Sequence, residues 1–268
     1  MFPPFDPEND DRKPRGRMFA RGQIPTRMLI PNIFTLLGLC AGLTAIRMAI
    51  EHRWDLAVAA LVFAAFLDGI DGRIARLLKA QSRFGAELDS LADFVNFGVA
   101  PAIIIYNWAL DDLKSMGWIV VLIYAVCAAL RLARFNSRMD LEDQPHKSAG
   151  FLTGVPAPAG AGLAFVPVYL WLVTGSEFFR QWFVVMPWAL AVALLMISSV
   201  ATYSWSSLRI RRSSRLLAIA GVGLLGAALV TAPWITLLAV SLLYLAMLPF
   251  SVASYARVKR RRAAPASP

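Results

Sequence analysis

Four aspartates lie in an otherwise largely apolar part of the sequence, between residues 66 and 101. Asp68 and Asp71 are three residues apart, and Asp89 and Asp93 are four apart. In a helix, either spacing places both carboxylates on the same face. Carboxylates gathered at membrane depth repel one another and are costly to bury. Such a cluster therefore requires compensation by positive charge.

A divalent cation would provide that compensation. Carboxylate oxygens are hard ligands that suit Mg²⁺ or Mn²⁺, and substrate phosphates would complete the coordination. Zinc is disfavoured, because no His or Cys lies between residues 53 and 126. Gly72 and Gly85, and Gly69 in the same way, leave room for a phosphate or nucleotide to approach the backbone. Close helix packing is the alternative explanation for each glycine.

Two structural explanations of the aspartates compete with a metal site. They could form ion pairs with Arg73, Arg76 and Arg83, and Asp89 could cap a helix at the membrane interface. Neither explains Asp68, which lies about two helical turns deeper in the membrane than Arg76.

The elements that must position these residues are transmembrane helices. Of the 268 residues, 58% are hydrophobic and 16% are charged, and apolar runs recur along the whole chain, which excludes a soluble domain. The runs are continuously apolar rather than alternating, so helices are predicted instead of barrel strands. Prolines at 156, 158 and 167 predict a kink or an irregular start in the fifth span. The eight predicted spans are residues 29–50, 54–76, 88–109, 117–135, 154–174, 183–203, 214–231 and 234–255.

Arginine and lysine residues predict the orientation of these spans. Counted loop by loop from the N-terminal arm to the C-terminal tail, they number 6, 2, 4, 1, 4, 1, 4, 0 and 5. By the positive-inside rule, this alternation predicts an even number of spans with both termini in the cytoplasm. A count of six spans would also be even, but the removal of two spans would force basic loops together, so eight spans are preferred. The two aspartate pairs then face each other on the cytoplasmic side, and the net charge of +10 needs no nucleic acid.

The aspartates belong to a longer motif, Asp68-x₂-Asp71-Gly72-x₂-Ala75-Arg76-x₈-Gly85-x₃-Asp89-x₃-Asp93. Its eight fixed residues and their spacing match the signature of the CDP-alcohol phosphatidyltransferases, which the chain therefore resembles. Across about the first two thirds of the chain, four segments resemble one branch of that family, the bacterial membrane-type phosphatidylserine synthases. These segments are PNIFTLLGLCAGL at 31–43, SLADFVNFGVAPA at 90–102, CAALRLARFN at 127–136 and FLTGVPAPAGAG at 151–162.

The resemblance implies an all-α transmembrane bundle, a six-helix family core with two added helices. It implies a CDP-diacylglycerol donor in a polar cavity open to the cytoplasm, with two divalent ions, Mg²⁺ or Mn²⁺, on its diphosphate. Asp68, Asp71 and Asp89 are then metal ligands, while Asp93 lies near the metal and deprotonates the acceptor hydroxyl. The donor contacts that it implies are Asn32, Thr35, Gly72, Ala75, Arg76, Ser82 and Gly85. Homodimers are usual in the family.

For the branch that the chain resembles, the acceptor is L-serine, and the products are phosphatidylserine and CMP. Arg131 and Arg134, three apart on one helix face, are candidates for binding the serine carboxylate, although snorkelling arginines have the same pattern. Another acceptor (glycerol phosphate, inositol phosphate or choline) stays open. A cation transporter and an inactive scaffold are alternatives of a different class.

The expected protein is an inner-membrane, multi-pass enzyme of phospholipid biosynthesis, surrounded by membrane lipids and with its active site facing the cytoplasm. The first stretch lacks the apolar region of a signal peptide. The predicted parts are a disordered basic cytoplasmic arm (1–27), a transmembrane catalytic domain (28–256) and a basic cytoplasmic tail (257–268).

Overall fold

The computed structural model describes residues 26–78, 80, 82–139, 151–198, 201–203 and 215–263. All but the last two residues of the predicted N-terminal arm lie outside these ranges, and so do the last five residues of the predicted C-terminal tail. The first part of that tail continues the final helix as far as Ala263.

Within the described residues, one helical rod lies at each of the eight predicted spans. The helices are α1 (Thr26–Ile50), α2 (Trp54–Leu77), α3 (Arg83–Asp93) with α4 (Ala100–Ile105), α5 (Ser115–Met139), α6 (Ala157–Ala164) with α7 (Val166–Thr174), α8 (Trp182–Ile197), α9 (Arg215–Thr231) and α10 (Pro233–Ala263). Two rods are composite: a π-helical stretch separates α3 from α4, and Phe165 separates α6 from α7.

In the part of the chain that the structure describes, five rods are long and apolar enough to cross a membrane, which makes the chain a multi-pass membrane protein. Helix α2 is 24 residues long but contains the charged pair Asp68 and Asp71. The eight-span count and the side of each terminus therefore stay predictions. The five long segments are Leu29–Ile50, Arg83–Leu113, Ser115–Ser137, Ala157–Thr174 and Pro233–Ser251, and the two shorter apolar helices are Trp182–Ile197 and Ala220–Thr231.

The outer surface of the bundle is apolar. Phe66, Leu91 and Val230 expose 62%, 65% and 85% of their surface, which would be unfavourable in water but suits contact with lipid tails. The interior of the first two rods is built from small residues instead. Ala49 of α1 and Ala57 of α2 are fully buried, so the two helices pack closely as an antiparallel pair.

The third rod differs from its prediction. It begins at Arg83, five residues before the predicted start of the span, and continues to Leu113. Two π-helical stretches, Phe94–Val99 and Tyr106–Leu110, interrupt it. Side chains from helix α5 and from the turn between α7 and α8 satisfy a carbonyl in each stretch, as buried backbone in a membrane requires. Tyr124 Oη donates to the carbonyl of Phe97 at 3.4 Å, and Arg180 Nε donates to that of Trp108 at 2.7 Å.

A short two-stranded ribbon accompanies the helices of the all-α bundle that the sequence predicts. Strand β1 (Phe151–Thr153) pairs antiparallel with β2 (Ala201–Tyr203), so the predicted span 183–203 is helical only as far as Ile197. Gly154 follows β1 with φ +76°, and a Cβ there would lie 2.7 Å from the Met196 carbonyl oxygen. Only glycine fits this approach. The kink predicted in the fifth rod is present, because α6 ends and α7 begins around Phe165.

Candidate metal centre and active site

The aspartate cluster lies where the end of α2 meets α3. Asp68 and Asp71 lie in the last three turns of α2, while Asp89 lies in α3. Carboxylate oxygens of these three residues all lie within 4.8 Å of one another. Asp71 is buried and the other two are half-buried. Two helices thus bring three acidic groups to one point, as the spacing predicts.

Asp93 lies at the edge of this cluster. Its carboxyl group is in hydrogen-bonding contact with that of Asp68, and Arg131 is within electrostatic range of it. The Oδ1 atoms of Asp89 and Asp93 are buried, and neither has a hydrogen-bond partner among the described residues. Asp93 is therefore the aspartate that faces both the cluster and the arginine of α5.

The surroundings of the cluster fit a divalent cation. In the described part of the chain, no lysine or arginine nitrogen lies within 4 Å of any of the four carboxylates, so Arg73, Arg76 and Arg83 do not neutralise them. The unpartnered oxygens of Asp89 and Asp93 are available as ligand atoms. An all-oxygen donor set of this kind suits a hard ion such as Mg²⁺ or Mn²⁺.

The helix-cap explanation for Asp89 is wrong. Helix α3 begins at Arg83, and its N-cap is Ser82, whose Oγ accepts a hydrogen bond from the backbone N–H of Gly85 at 3.0 Å. Asp89 is therefore in the helix interior, one turn before Asp93. The two residues lie on the same face of α3, which is the face turned towards the other aspartates.

Helix α1 supports the cluster from the other side. The Thr35 hydroxyl is within hydrogen-bonding distance of both Asp71 Oδ2, at 2.7 Å, and the Pro31 carbonyl, at 3.2 Å. One turn nearer the N-terminus, Asn32 approaches the start of α3: a Cβ on Gly85 would lie 2.9 Å from Asn32 Oδ1. Three residues predicted to contact a donor, Asn32, Ser82 and Gly85, thus lie side by side.

The remaining predicted donor contacts lie along the exposed side of α2. Nothing lies within 4 Å of a Cβ built on Gly69 or Gly72, so both glycines face open space beside the aspartates. Arg76 is exposed, and its Nε donates to the Gly72 carbonyl at 3.0 Å. Ala75, one residue before it, is half-buried. This side of α2 is therefore open next to the aspartates.

The two arginines predicted to bind serine point to different partners. Arg131 is half-buried, and its guanidinium carbon lies 5.3 Å from the ring centre of Phe135 and within electrostatic range of Asp93. Arg134 instead donates to the carbonyl of Ile197 at the end of α8. Arg131 is thereby placed towards the acidic cluster, while the Arg134 guanidinium is engaged with the end of α8.

On the sequence, Asn136 is a further, weaker candidate for the serine carboxylate, whereas Asn96 is a polar residue that the predicted site lacks. Asn136 Nδ2 donates to Ser90 Oγ at 2.9 Å and so joins α5 to α3. Asn96 is 1% exposed and lies against Gly42 of α1, where a Cβ would be 2.0 Å from its Oδ1. The available signal was a polar residue inside an apolar run, three residues after Asp93. The contact partners, in contrast, lie too far along the chain to be inferred.

Comparison with known proteins identifies relatives of the whole bundle. Residues 28–203 match the CDP-alcohol phosphatidyltransferase family, and residues 214–249 match a second family description, CDP-alcohol phosphatidyltransferase 2. The chain is 40% identical over 242 residues to a CDP-diacylglycerol–serine O-phosphatidyltransferase of Mycobacterium tuberculosis, covering 90% of this chain and 82% of that relative.

Two other relatives carry the same name. The protein from Mycobacterium leprae is 39% identical over 240 residues, which are 90% of this chain and 78% of the relative. The protein from Methanocaldococcus jannaschii is 34% identical over 183 residues, which are 68% of this chain and 76% of the relative. The similarity thus extends from the mycobacterial proteins, at 39–40% identity, to the Methanocaldococcus protein, at 34% identity.

Proposed function

The chain belongs to the CDP-alcohol phosphatidyltransferase family, and from this we infer that it is a CDP-diacylglycerol–serine O-phosphatidyltransferase. The enzyme transfers the phosphatidyl group of CDP-diacylglycerol to the hydroxyl of L-serine, forming phosphatidylserine and releasing CMP. The observation that carries the chemistry is the meeting of three carboxylates within 4.8 Å at the end of α2, with Asp93 beside them. The acceptor follows from the relatives.

In the proposed site, Asp68, Asp71 and Asp89 hold the metal, and Asp93 completes the cluster. Two divalent ions, Mg²⁺ or Mn²⁺, would draw charge from the donor diphosphate and make CMP a better leaving group. The chain's own residues position the donor. Asn32, Thr35, Ser82 and Gly85 surround it from α1 and α3, while Gly72, Ala75 and Arg76 leave space for the cytidine nucleotide along α2.

Asp93 is the proposed general base. The serine hydroxyl oxygen forms a bond to the phosphorus that carries diacylglycerol, the bond from that phosphorus to the CMP oxygen breaks, and Asp93 takes the hydroxyl proton. The burial of Asp93 Oδ1 without a hydrogen-bond partner among the described residues supports this role, because an oxygen occupied by another donor could not accept the proton.

Arg131 is the proposed partner of the serine carboxylate. A guanidinium can bind a carboxylate through two parallel N–H donors. Arg131 lies within electrostatic range of Asp93, so a serine bound to Arg131 would have its hydroxyl near the base. We assign Arg134 a lesser part, because its guanidinium already donates to the Ile197 carbonyl.

The same proposal covers the setting of the enzyme. The charge alternation along the sequence supports eight spans in the cell membrane, both termini and the active site on the cytoplasmic side, and basic segments at 1–27 and 257–268 that contact anionic lipid. Family membership supports a homodimer.

An acceptor panel tests the function. Purified enzyme receives CDP-diacylglycerol, Mg²⁺ or Mn²⁺, and one acceptor at a time: serine, glycerol phosphate, inositol phosphate or choline. CMP release is expected with serine alone, and chelation of the metal is expected to abolish it. Release with another acceptor in place of serine would contradict the assignment of the acceptor while leaving the metal site standing. Asp93→Asn is the inactive control.

A further inference from the structure

An apolar groove inside the bundle has no role in the chemistry proposed above. It lies between α2, the π-helical stretch Phe94–Val99, the α6–α7 rod and α10, and its volume is about 510 Å³ with its open side included. None of the described residues that line it is charged. Clefts that bind a small ligand have volumes of this order. The lining includes Val58, Val62, Ala65, Phe97, Tyr169 and Leu237.

One end of the groove lies next to the aspartate cluster. On α2, the lining residue Ala65 lies one turn before Asp68. On the third rod, the lining residue Phe97 lies four residues after Asp93. Ala161, near the start of the α6–α7 rod, packs with Phe97 in one cluster and also lines the groove. Two rods that carry the aspartates therefore place the same end of the groove beside the carboxylates.

The opposite end of the groove is closed, while one of its sides is open. Val58 and Tyr169, the lining residues furthest from the aspartates on α2 and α7, are 1% and 2% exposed. Val62 of α2 and Leu237 of α10 are only half-buried. Along α2, the groove extends from Ala65 to Val58, a length of about 10 Å. A long chain that enters beside the aspartates therefore has to leave through the open side, towards the lipid.

The position of the groove indicates that its occupant is a hydrocarbon chain of the lipid donor. In the proposed reaction, the phosphorus that carries diacylglycerol lies at the metal ions, so both acyl chains begin close to the aspartates. An uncharged groove that starts there suits an acyl chain, whereas a nucleotide or serine would lack polar partners in it. Because lipid tails are as apolar as its walls, a chain gains little free energy by entering the groove. The groove is therefore expected to orient the donor more than to hold it tightly.

We propose that this groove is an acyl-chain subsite, which holds the part of one acyl chain next to the glycerol and so orients the phosphorus of CDP-diacylglycerol at the metal site. This inference rests on the donor and the reaction proposed above. The other acyl chain stays among the membrane lipids. Helix α10 lies outside residues 28–203, which match the family, yet its Leu237 forms part of the groove. The last helix thus contributes to the selection of the donor.

The first test adds bulk to the α10 wall and compares two donors. Leu237→Trp is expected to lower kcat/KM for dioleoyl CDP-diacylglycerol about tenfold or more, because the larger ring fills the space of the chain. Turnover of the dibutanoyl donor, whose chains end near the mouth of the groove, and the KM for serine are expected to stay near their original values. Ile235→Trp is the matched control, because it adds the same ring where the side chain is 58% exposed. It is expected to change neither rate.

A second variant approaches the same space from α2. Val62→Phe places a ring in the groove wall and is expected to reproduce the selective loss of the dioleoyl donor. An unchanged ratio of the two donor rates in both variants would overturn the subsite. An equal loss with both donors, together with a lower melting temperature, would mean that the two residues serve the fold alone, and it would overturn the subsite as well.

Photolabelling tests the location of the chain without any substitution in the groove. A CDP-diacylglycerol that carries a diazirine in the middle of one acyl chain is irradiated on the enzyme with Mn²⁺ and without serine. Peptides from the α2 and α10 walls of the groove are expected to carry the label, and excess dioleoyl donor is expected to suppress it. Label confined to lipid-facing residues such as Ile235 would overturn the subsite. Groove labelling in an enzyme that releases no CMP with serine would support the subsite and contradict only the proposed acceptor.

Discussion

Asp71 and Asp93 have different surroundings, which suit the two side chains to different roles in the proposed site. Asp71 is buried, and its Oδ2 lies 2.7 Å from the Thr35 hydroxyl, which fixes its orientation for coordination. Asp93 touches Asp68 on one side and faces Arg131 on the other. A carboxylate with a fixed orientation, such as that of Asp71, is suited to coordinate a metal. A carboxylate between the proposed metal and acceptor sites, such as that of Asp93, is suited to take a proton.

Replacing the proposed base separates chemistry from binding. Asp93→Asn is expected to lower kcat by about 10²–10⁴-fold, because the amide cannot accept the serine proton. Binding of CDP-diacylglycerol, measured by titration with metal present, is expected to persist. Asp112→Asn, at an exposed position near the other end of the same rod, is the control and is expected to be fully active. A near-normal kcat in Asp93→Asn would refute the assignment.

Substitution of Thr35 tests how strongly metal affinity depends on a residue that supports a metal ligand without coordinating the metal. Thr35→Val removes the hydroxyl next to Asp71, and loss of such support is expected to raise the Mn²⁺ concentration needed for half-maximal activity by about 10- to 100-fold. Thr44→Val on the same helix removes a hydroxyl whose hydrogen bond, among the described residues, is to the Cys40 carbonyl alone. An equal rise in the required Mn²⁺ concentration in both variants would mean that each substitution disturbs helix α1. It would contradict a specific support of the metal site by Thr35.

At the level of elements, the sequence predicted positions better than contacts. The aspartate spacing correctly placed two carboxylate pairs on facing helices, and the apolar runs placed all eight rods, because both signals are local. The π-helical stretch Phe94–Val99 was not predictable, since its apolar residues suit an ordinary helix equally well. The partner of Arg134 was also hidden, because Ile197 lies 63 positions away.

The contact between α1 and the π-helical stretch gives a stability prediction. A Cβ on Gly42 would lie 2.0 Å from Asn96 Oδ1, so Gly42→Ala is expected to destabilise the protein by about 1–3 kcal/mol through overpacking. Gly221→Ala in α9, where nothing lies within 4 Å, is expected to be neutral or slightly stabilising. Thermal unfolding in nanodiscs, followed by tryptophan fluorescence, compares the two. Equal melting temperatures would contradict the tight packing.

At the scale of the whole molecule, an apolar outer surface surrounds a small acidic centre. The exposed leucine, valine and phenylalanine side chains of the rods form the surface that lipid covers. The aspartate cluster lies at the end of α2 that is predicted to face the cytoplasm, where a water-soluble acceptor would arrive. The lipid donor and the polar acceptor can therefore reach the same carboxylates from different phases.

The third rod provides a test of sidedness, because Arg83 and Lys114 mark its two ends. In a variant with Cys40 and Cys127 replaced by alanine, Lys114→Cys is expected to react with an impermeant maleimide added to intact cells. Arg83→Cys is expected to react only after the membrane is opened. Labelling of Arg83→Cys in intact cells would place the acidic cluster on the outside and contradict the predicted orientation.

The π-helical stretch that follows Asp93 also constrains how the gene can change in length. It accommodates a wider turn than an α-helix, and each residue of an α-helix corresponds to a rotation of about 100°. A one-codon deletion between Phe94 and Val99 would still encode an apolar helix that inserts into the membrane. It would, however, remove the widened turn, because six residues of that turn cover about the same rotation as five residues of an α-helix. The contact of Asn96 with Gly42 and the hydrogen bond from Tyr124 to the Phe97 carbonyl would be lost with it. In descendants of this sequence, insertions and deletions are therefore expected in the loops, while the number of codons from Asp93 to Pro101 stays constant.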